Sequence, residues 1–188
     1  MNQLYTTPNL LSLSRALLGP LVLILLIGES YFALLLALVL VTMAIALDYF
    51  DGFLARQNGS VGELGRYLDG ACDAIFNLGV FLGFLALGWL PASWFLAIYF
   101  AEIVVPYMGA FAKQIGHPFE IRWSAKLKSA IHPAAQFITL LTALTMTGQT
   151  AAGDTMIGIA ALGAAVLSSI AFLADHVVLA VLRSARLA

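Results

Sequence analysis

Six apolar runs follow one another along this chain, at 8–28, 31–57, 63–90, 92–113, 125–147 and 152–182. A helix needs about 20 apolar residues to cross the hydrocarbon core of a bilayer. The breaks between the runs are short and polar or turn-like: "GES", "RQNGS", "LPAS", "GHPFEIRW" and "TGQTAAGD". Composition agrees with this pattern. The 188 residues are 62% hydrophobic and 10% charged, where ordinary soluble domains carry roughly 25% charge. Mean hydropathy is +0.97. A soluble core of this size cannot hide that much apolar surface. The expected fold is all-α and integral to the membrane, with six transmembrane helices forming one domain over 1–188.

The basic residues give an independent test of the span count. Arg15 lies near the start of the first run. Arg56 and Arg66 flank the second connection, and Lys113, Arg122, Lys126 and Lys128 cluster at the fourth. Arg183 and Arg186 end the chain. With six spans, all nine fall on one side, and the other side's connections hold Glu29 and Asp154. The positive-inside rule makes the basic side cytoplasmic, with both termini there. The first run lacks a basic leader and a small-residue cleavage site, so it reads as a retained helix. Thr7-Pro8 suits its start, as N-cap and first-turn proline. A single cysteine, Cys72, excludes an internal disulfide framework. A net charge of −1 gives no basis for a nucleic-acid partner.

Against this background the acids are unevenly spread. Asp48, Asp51, Asp69 and Asp73 fall within one stretch of a chain that has ten acidic residues in all. On a helix, Asp48, Asp51, Gly52, Ala55 and Arg56 share a face, and Gly65, Asp69 and Asp73 recur at i, i+4 and i+8. Two adjacent antiparallel helices can therefore direct four carboxylates into one space at the cytoplasmic boundary. Intramembrane acids are costly and face a cavity, pair, or bind cations. Arg56 and Arg66 are the local counter-charges, and a hard divalent cation, or two, would neutralise the remainder. All-oxygen ligation suits Mg²⁺ or Mn²⁺. The bland alternative is a solvated loop whose charges mark the membrane boundary, but that does not require acids and glycines to share faces.

The pattern Asp48-x2-Asp51-Gly52-x2-Ala55-Arg56-x8-Gly65-x3-Asp69-x3-Asp73 resembles the signature of the CDP-alcohol phosphatidyltransferases, with all eight positions at the family spacing. The resemblance implies transfer of a phosphatidyl group from CDP-diacylglycerol to an alcohol, with release of CMP. It implies two divalent cations, Mg²⁺ or Mn²⁺, on Asp48, Asp51, Asp69 and Asp73, with Asp73 also the base that deprotonates the attacking hydroxyl. It makes Gly52, Arg56 and Gly65 contacts of the nucleotide donor. "TPNLLSLSR" looks like the family's opening of the first helix and puts Asn9, Ser12 and Arg15 near the nucleotide. Several family members carry Thr where this chain has Gly62; Ser60 is the substitute donor contact. A homodimer is also what the family implies.

The acceptor must be read elsewhere. "SAKLKS", Ser124–Ser129, looks like a segment of family members acting on glycerol phosphate or phosphatidylglycerol. Arg122, Lys126 and Lys128 form a basic cluster on the aspartate side that suits a phosphorylated acceptor. Glycerol 3-phosphate is the preferred reading. "LDGACD" is closer in outline to some inositol-phosphate transferases, which keeps that acceptor open. Lys126 and Lys128 also serve as membrane-boundary anchors on a plain topological reading. Two further readings are an Mg²⁺-dependent intramembrane prenyltransferase and a divalent-cation transporter. Neither calls for Ala55-Arg56-x8-Gly65, and a fixed Arg56 opposes metal entry to a transport path.

Other polar residues inside the runs are expected to pair rather than react. Glu102 precedes an expected kink at Pro106. His132 and Gln136 line the cavity or join helices, and Asp175-His176 makes a local polar contact. Trp89, Trp94 and Trp123 sit at span ends as interfacial anchors. Gly79 and Gly83 permit close helix packing, a dimer included.

Overall fold

Ser30 accepts a hydrogen bond from the Ala33 amide at 3.1 Å, and Thr155 accepts one from Gly158 at 3.0 Å. Each hydroxyl satisfies a first-turn amide that has no partner within its own helix. In the computed structural model, these two caps start the second and the last of six helices. The backbone is described for residues 7–57, 63–104, 106–107, 123–146 and 155–187, and the side chains for 9–50, 65, 67–104, 106–107, 123–146 and 155–176. Among the described residues the helices are α1 (Thr7–Ile27), α2 (Tyr31–Gln57), α3 (Glu63–Ala86), α4 (Ala92–Tyr99), α5 (Trp123–Thr145) and α6 (Met156–Leu187), and there is no strand. Gly88, with φ +74°, turns the chain between α3 and α4 in a conformation that side chains disfavour.

Four helices are long and apolar enough to cross a membrane unaided: 9–27, 31–50, 67–86 and 156–176, with mean hydropathies of 2.3, 2.3, 1.5 and 2.2. The other two differ from the expected spans for identifiable reasons. α5 carries Lys126, Lys128, His132 and Gln136, which dilute its apolar character. α4 does not run unbroken through 92–113. It passes into a π-helical turn, Phe100–Val104, just before Pro106. A proline cannot donate to the carbonyl four residues back, and a wider turn is one way to reroute that bond.

The sense of packing follows from the contacts. A Cβ on Gly19 would meet Phe76, one on Gly79 would meet Gly19, and one on Gly83 would meet Leu26. Numbers rise together on the two helices, so α1 and α3 lie parallel and their backbones touch. The Gly79–Gly83 face is therefore covered by α1 of the same chain rather than left open for a second copy. Ser124 reaches Asp175 while His132 reaches Ser169, so α5 and α6 are antiparallel.

The resulting body is apolar outside and partly polar inside. Leu17, Phe32 and Leu167 are 74%, 73% and 69% exposed, while Arg15, His132 and Gln136 are buried to 1% or less. In lipid, helices gain nothing by hiding leucine from tails that are equally apolar; close packing and interhelical hydrogen bonds hold them together. Phe81, Phe84, Val80 and Leu140 fill the core between the polar positions.

Candidate metal and substrate site

The stripe Gly65, Asp69, Asp73 and Asn77 runs down α3 at four-residue spacing, so its side chains stack on one face. α1 presents Asn9, Ser12, Arg15 and Gly19 to that face. The Gly19–Gly79 contact closes the two backbones, which lets short side chains meet across the interface. Ser12 Oγ donates to Asp69 Oδ1 at 3.1 Å. Asn9 Oδ1 stands 3.3 Å from where a Cβ on Gly65 would lie, so the glycine keeps that approach open. α2 brings Asp48 to the same place from the opposite direction.

Arg15 ties these elements together. Its guanidinium pairs with Asp48, with Asp69 Oδ1 at 2.8 Å and with Asp73 Oδ1 at 2.6 Å. The Arg15 side chain is 2% exposed while Asp48, Asp69 and Asp73 are 56%, 43% and 38% exposed. The cation thus backs the carboxylates, which open outward. One oxygen from each of the three aspartates lies within 4.8 Å of the others. Hard anionic oxygens at that spacing, open on one side, fit a Mg²⁺ or Mn²⁺ ion.

A second polar group begins one turn further along α3. Asn77 Nδ2 donates to Glu102 Oε1 at 3.1 Å, and Gln136 Nε2 donates to Asn77 Oδ1 at 3.0 Å. The π turn carries Glu102, which accepts from Lys128 Nζ at 2.8 Å and contacts His132 Nδ1 at 2.8 Å. With Nδ1 donating to the carboxylate, His132 Nε2 faces Ser169 Oγ at 3.0 Å. Lys128 Nζ also lies 5.1 Å from the centre of the Phe172 ring. Such a pair offsets its desolvation only when its hydrogen bonds are met, and here Glu102 has three partners, Asn77 on α3 and Lys128 and His132 on α5. Intramembrane pairing is the outcome expected for Glu102.

The expected site residues divide accordingly. Asp48, Asp69, Asp73, Ser12, Asn9 and Gly65 come together. Asp51, Gly52 and Arg56 lie on the described backbone of α2, with side chains outside the described set; Ser60, Gly62 and Arg122 lie outside the described residues. Lys126 and Lys128 do not share a face: Lys126 is exposed and Lys128 buried against Glu102. The expectation that Arg56 and Arg66 supply the counter-charge missed Arg15, which lies 33 and 54 residues from Asp48 and Asp69. Its position three residues beyond Ser12 was the available signal. Asn77 was missed too, although it continues the Asp69–Asp73 spacing. Asp175 accepts from Ser124 Oγ at 2.7 Å, a bond between α6 and α5 rather than the local contact expected, while His176 Nδ1 makes a local one with Phe172 O at 2.7 Å.

The chain is 41% identical over 70 residues to a CDP-diacylglycerol–glycerol-3-phosphate 3-phosphatidyltransferase of Aquifex aeolicus, covering 37% of this chain and 38% of that one. It is 31% identical over 94 residues to the protein of the same name from Treponema pallidum, covering 50% and 44%. It is 29% identical over 120 residues to a cardiolipin synthase (CMP-forming) of Streptomyces coelicolor, covering 62% and 56%. The chain thus spans about two fifths of the length of the first two relatives. The CDP-alcohol phosphatidyltransferase family model matches far more of it, residues 5–182. Long apolar helices, converging motif aspartates and a match over nearly the whole chain agree: this multi-pass membrane protein belongs to the CDP-alcohol phosphatidyltransferase family.

Proposed function

We propose that the protein transfers a phosphatidyl group from CDP-diacylglycerol to glycerol 3-phosphate and releases CMP. The observation that carries this reading is the convergence of Asp48, Asp69 and Asp73 from two helices, with ligand oxygens within 4.8 Å. In the proposed site Asp48, Asp51, Asp69 and Asp73 hold two divalent cations, Mg²⁺ or Mn²⁺. When bound, such ions neutralise the pyrophosphate and stabilise charge on the leaving CMP. Asn9, Ser12, Gly52, Arg56, Ser60 and Gly65 bind the CDP-diacylglycerol head group. Arg56 suits phosphate as a planar fork.

The reaction balances simply. The acceptor hydroxyl oxygen attacks the phosphorus that carries the diacylglycerol. Its proton passes to the Asp73 carboxylate, and the bond from that phosphorus to the CMP oxygen breaks with its electron pair leaving on CMP. An apolar groove of Leu38, Val39, Met43, Ala46 and Phe137 lies between α2 and α5. Its one hydroxyl, on Thr42, donates to its own helix at Leu38 O. Ala46 and Asp48 are two residues apart and point to different sides of α2, so the groove is a dry surface on another side of that helix from the carboxylates.

Arg122, Lys126 and Lys128 serve the anionic acceptor, with Lys126 reaching it directly and Lys128 held from behind by Glu102. The names of the Aquifex and Treponema relatives support glycerol 3-phosphate. The whole of 1–188 acts as one six-span domain, with both termini and the site on the cytoplasmic side of a bacterial inner membrane, and as a homodimer. A cation transporter is disfavoured by Arg15, which stands among the acids that would have to pass the ion.

Purified protein in lipid with Mn²⁺ or Mg²⁺ and CDP-diacylglycerol tests the reading against glycerol 3-phosphate, inositol phosphate and phosphatidylglycerol. CMP release with glycerol 3-phosphate is expected. Release with another acceptor alone would reassign the substrate, and release with none would remove the activity.

A further inference from the structure

Arg15 is more than a structural ion pair. One guanidinium contacts three carboxylates drawn from two helices, and its contacts with Asp69 and Asp73 fall on the Oδ1 atoms. It is the charged side chain most deeply buried among the described residues. A divalent ion seated on those oxygens and a guanidinium bonded to them compete for the same lone pairs. We propose that Arg15 is the resident cation of the aspartate site, that a divalent ion displaces it from these oxygens, and that it thereby sets the site's metal affinity.

Two features support exchange over permanent co-residence. Arg15 Nε is buried without a hydrogen-bond partner, so the present pose leaves one of its donors unmet. Each carboxylate also keeps a second oxygen, and a ligating carboxylate is commonly held by a hydrogen bond from behind. Arg15 therefore has somewhere to go: it retreats to the far oxygens and holds the ligands in place. Without metal it prevents three like charges from driving α2 and α3 apart. The site stays assembled in both states, at the cost of weaker metal binding.

This inference rests on the metal-site reading above, and the test separates the two. Protein labelled with ¹⁵N in its arginine side chains is titrated with Mg²⁺ in detergent micelles, with Arg15 assigned by comparison with Arg15→Lys. Binding of Mn²⁺ to wild type and Arg15→Gln is followed by electron paramagnetic resonance. The Arg15 signal should move as the site fills, and Arg15→Gln should bind Mn²⁺ about tenfold more tightly, within the usual range of site-to-site coupling. The same variant should unfold earlier than wild type in chelator, with the gap narrowing in saturating Mn²⁺. An unmoved Arg15 signal while Mn²⁺ binds, or equal or weaker affinity in Arg15→Gln, overturns the exchange and leaves the metal site standing. Absence of Mn²⁺ binding to wild type removes both. If Arg15→Gln does not fold, the wild-type titration decides alone.

Discussion

Gly79 lies so close to Gly19 that a Cβ built on it would stand 2.5 Å from the Gly19 carbonyl carbon. The obstacle is backbone, which cannot rotate aside as a side chain can. Gly79→Ala should therefore push α1 off α3 and cost about 1–3 kcal/mol, the usual range for overpacking. Gly70 is on the same helix with nothing within 4 Å of its added Cβ. Gly70→Ala should be neutral or stabilising by up to about 1 kcal/mol. Thermal unfolding in detergent checks both; equal melting temperatures for the two variants would refute the close contact.

Asp69 accepts from both Ser12 and Arg15 and faces Asp48 and Asp73. Asp69→Asn keeps the shape and removes the charge. We expect CMP release to fall by about a hundred- to a thousandfold with Mn²⁺ binding weakened and the helical circular dichroism unchanged. A fully active Asp69→Asn protein would end the assignment of Asp69 as a ligand.

Glu102 and Lys128 form a buried ion pair, so removing one partner strands the other. Glu102→Gln should lower stability by about 3–5 kcal/mol. Glu102→Gln with Lys128→Met should recover much of that loss, because no uncompensated charge remains. The double-mutant cycle is the measurement. Strictly additive losses would mean that the pair contributes no coupling.

The two lysines of "SAKLKS" should separate kinetically. Lys126 is exposed, so Lys126→Ala should raise KM for a phosphorylated acceptor several-fold while leaving the melting temperature alone. Lys128→Ala should lower the melting temperature first, because Glu102 loses its cation. An unchanged KM in Lys126→Ala across acceptors would exclude that lysine from the acceptor site.

The architecture was readable from the sequence at the level of helices and faces. The apolar runs located the helices, and helical phase put Asp69 and Asp73 on one face with Gly65. Phase says which residues share a face; it does not say which neighbouring face they meet. The pairing of Arg15 with Asp48 joins residues 33 positions apart, and no local periodicity encodes that. The division between Lys126 and Lys128 escaped notice for the same reason, since it depends on where Glu102 lies. Glu102 in turn owes its place to the π turn before Pro106, where the sequence indicated a kink without its geometry.

Arg15 also imposes an order on biosynthesis. It emerges from the ribosome 33 residues before Asp48 and 54 before Asp69. At a synthesis rate of about 5–20 residues per second, its last partners arrive some seconds later. A buried cation with no counter-ion is a poor tenant of a nascent membrane helix, so α1 cannot reach its final seat alone. Asp48 on the returning α2 is the first group able to quiet it, and α3 then brings Asp69 and Asp73 to the remaining guanidinium donor. The first three helices are thus written to close in sequence, with the Arg15–aspartate cluster as their clasp.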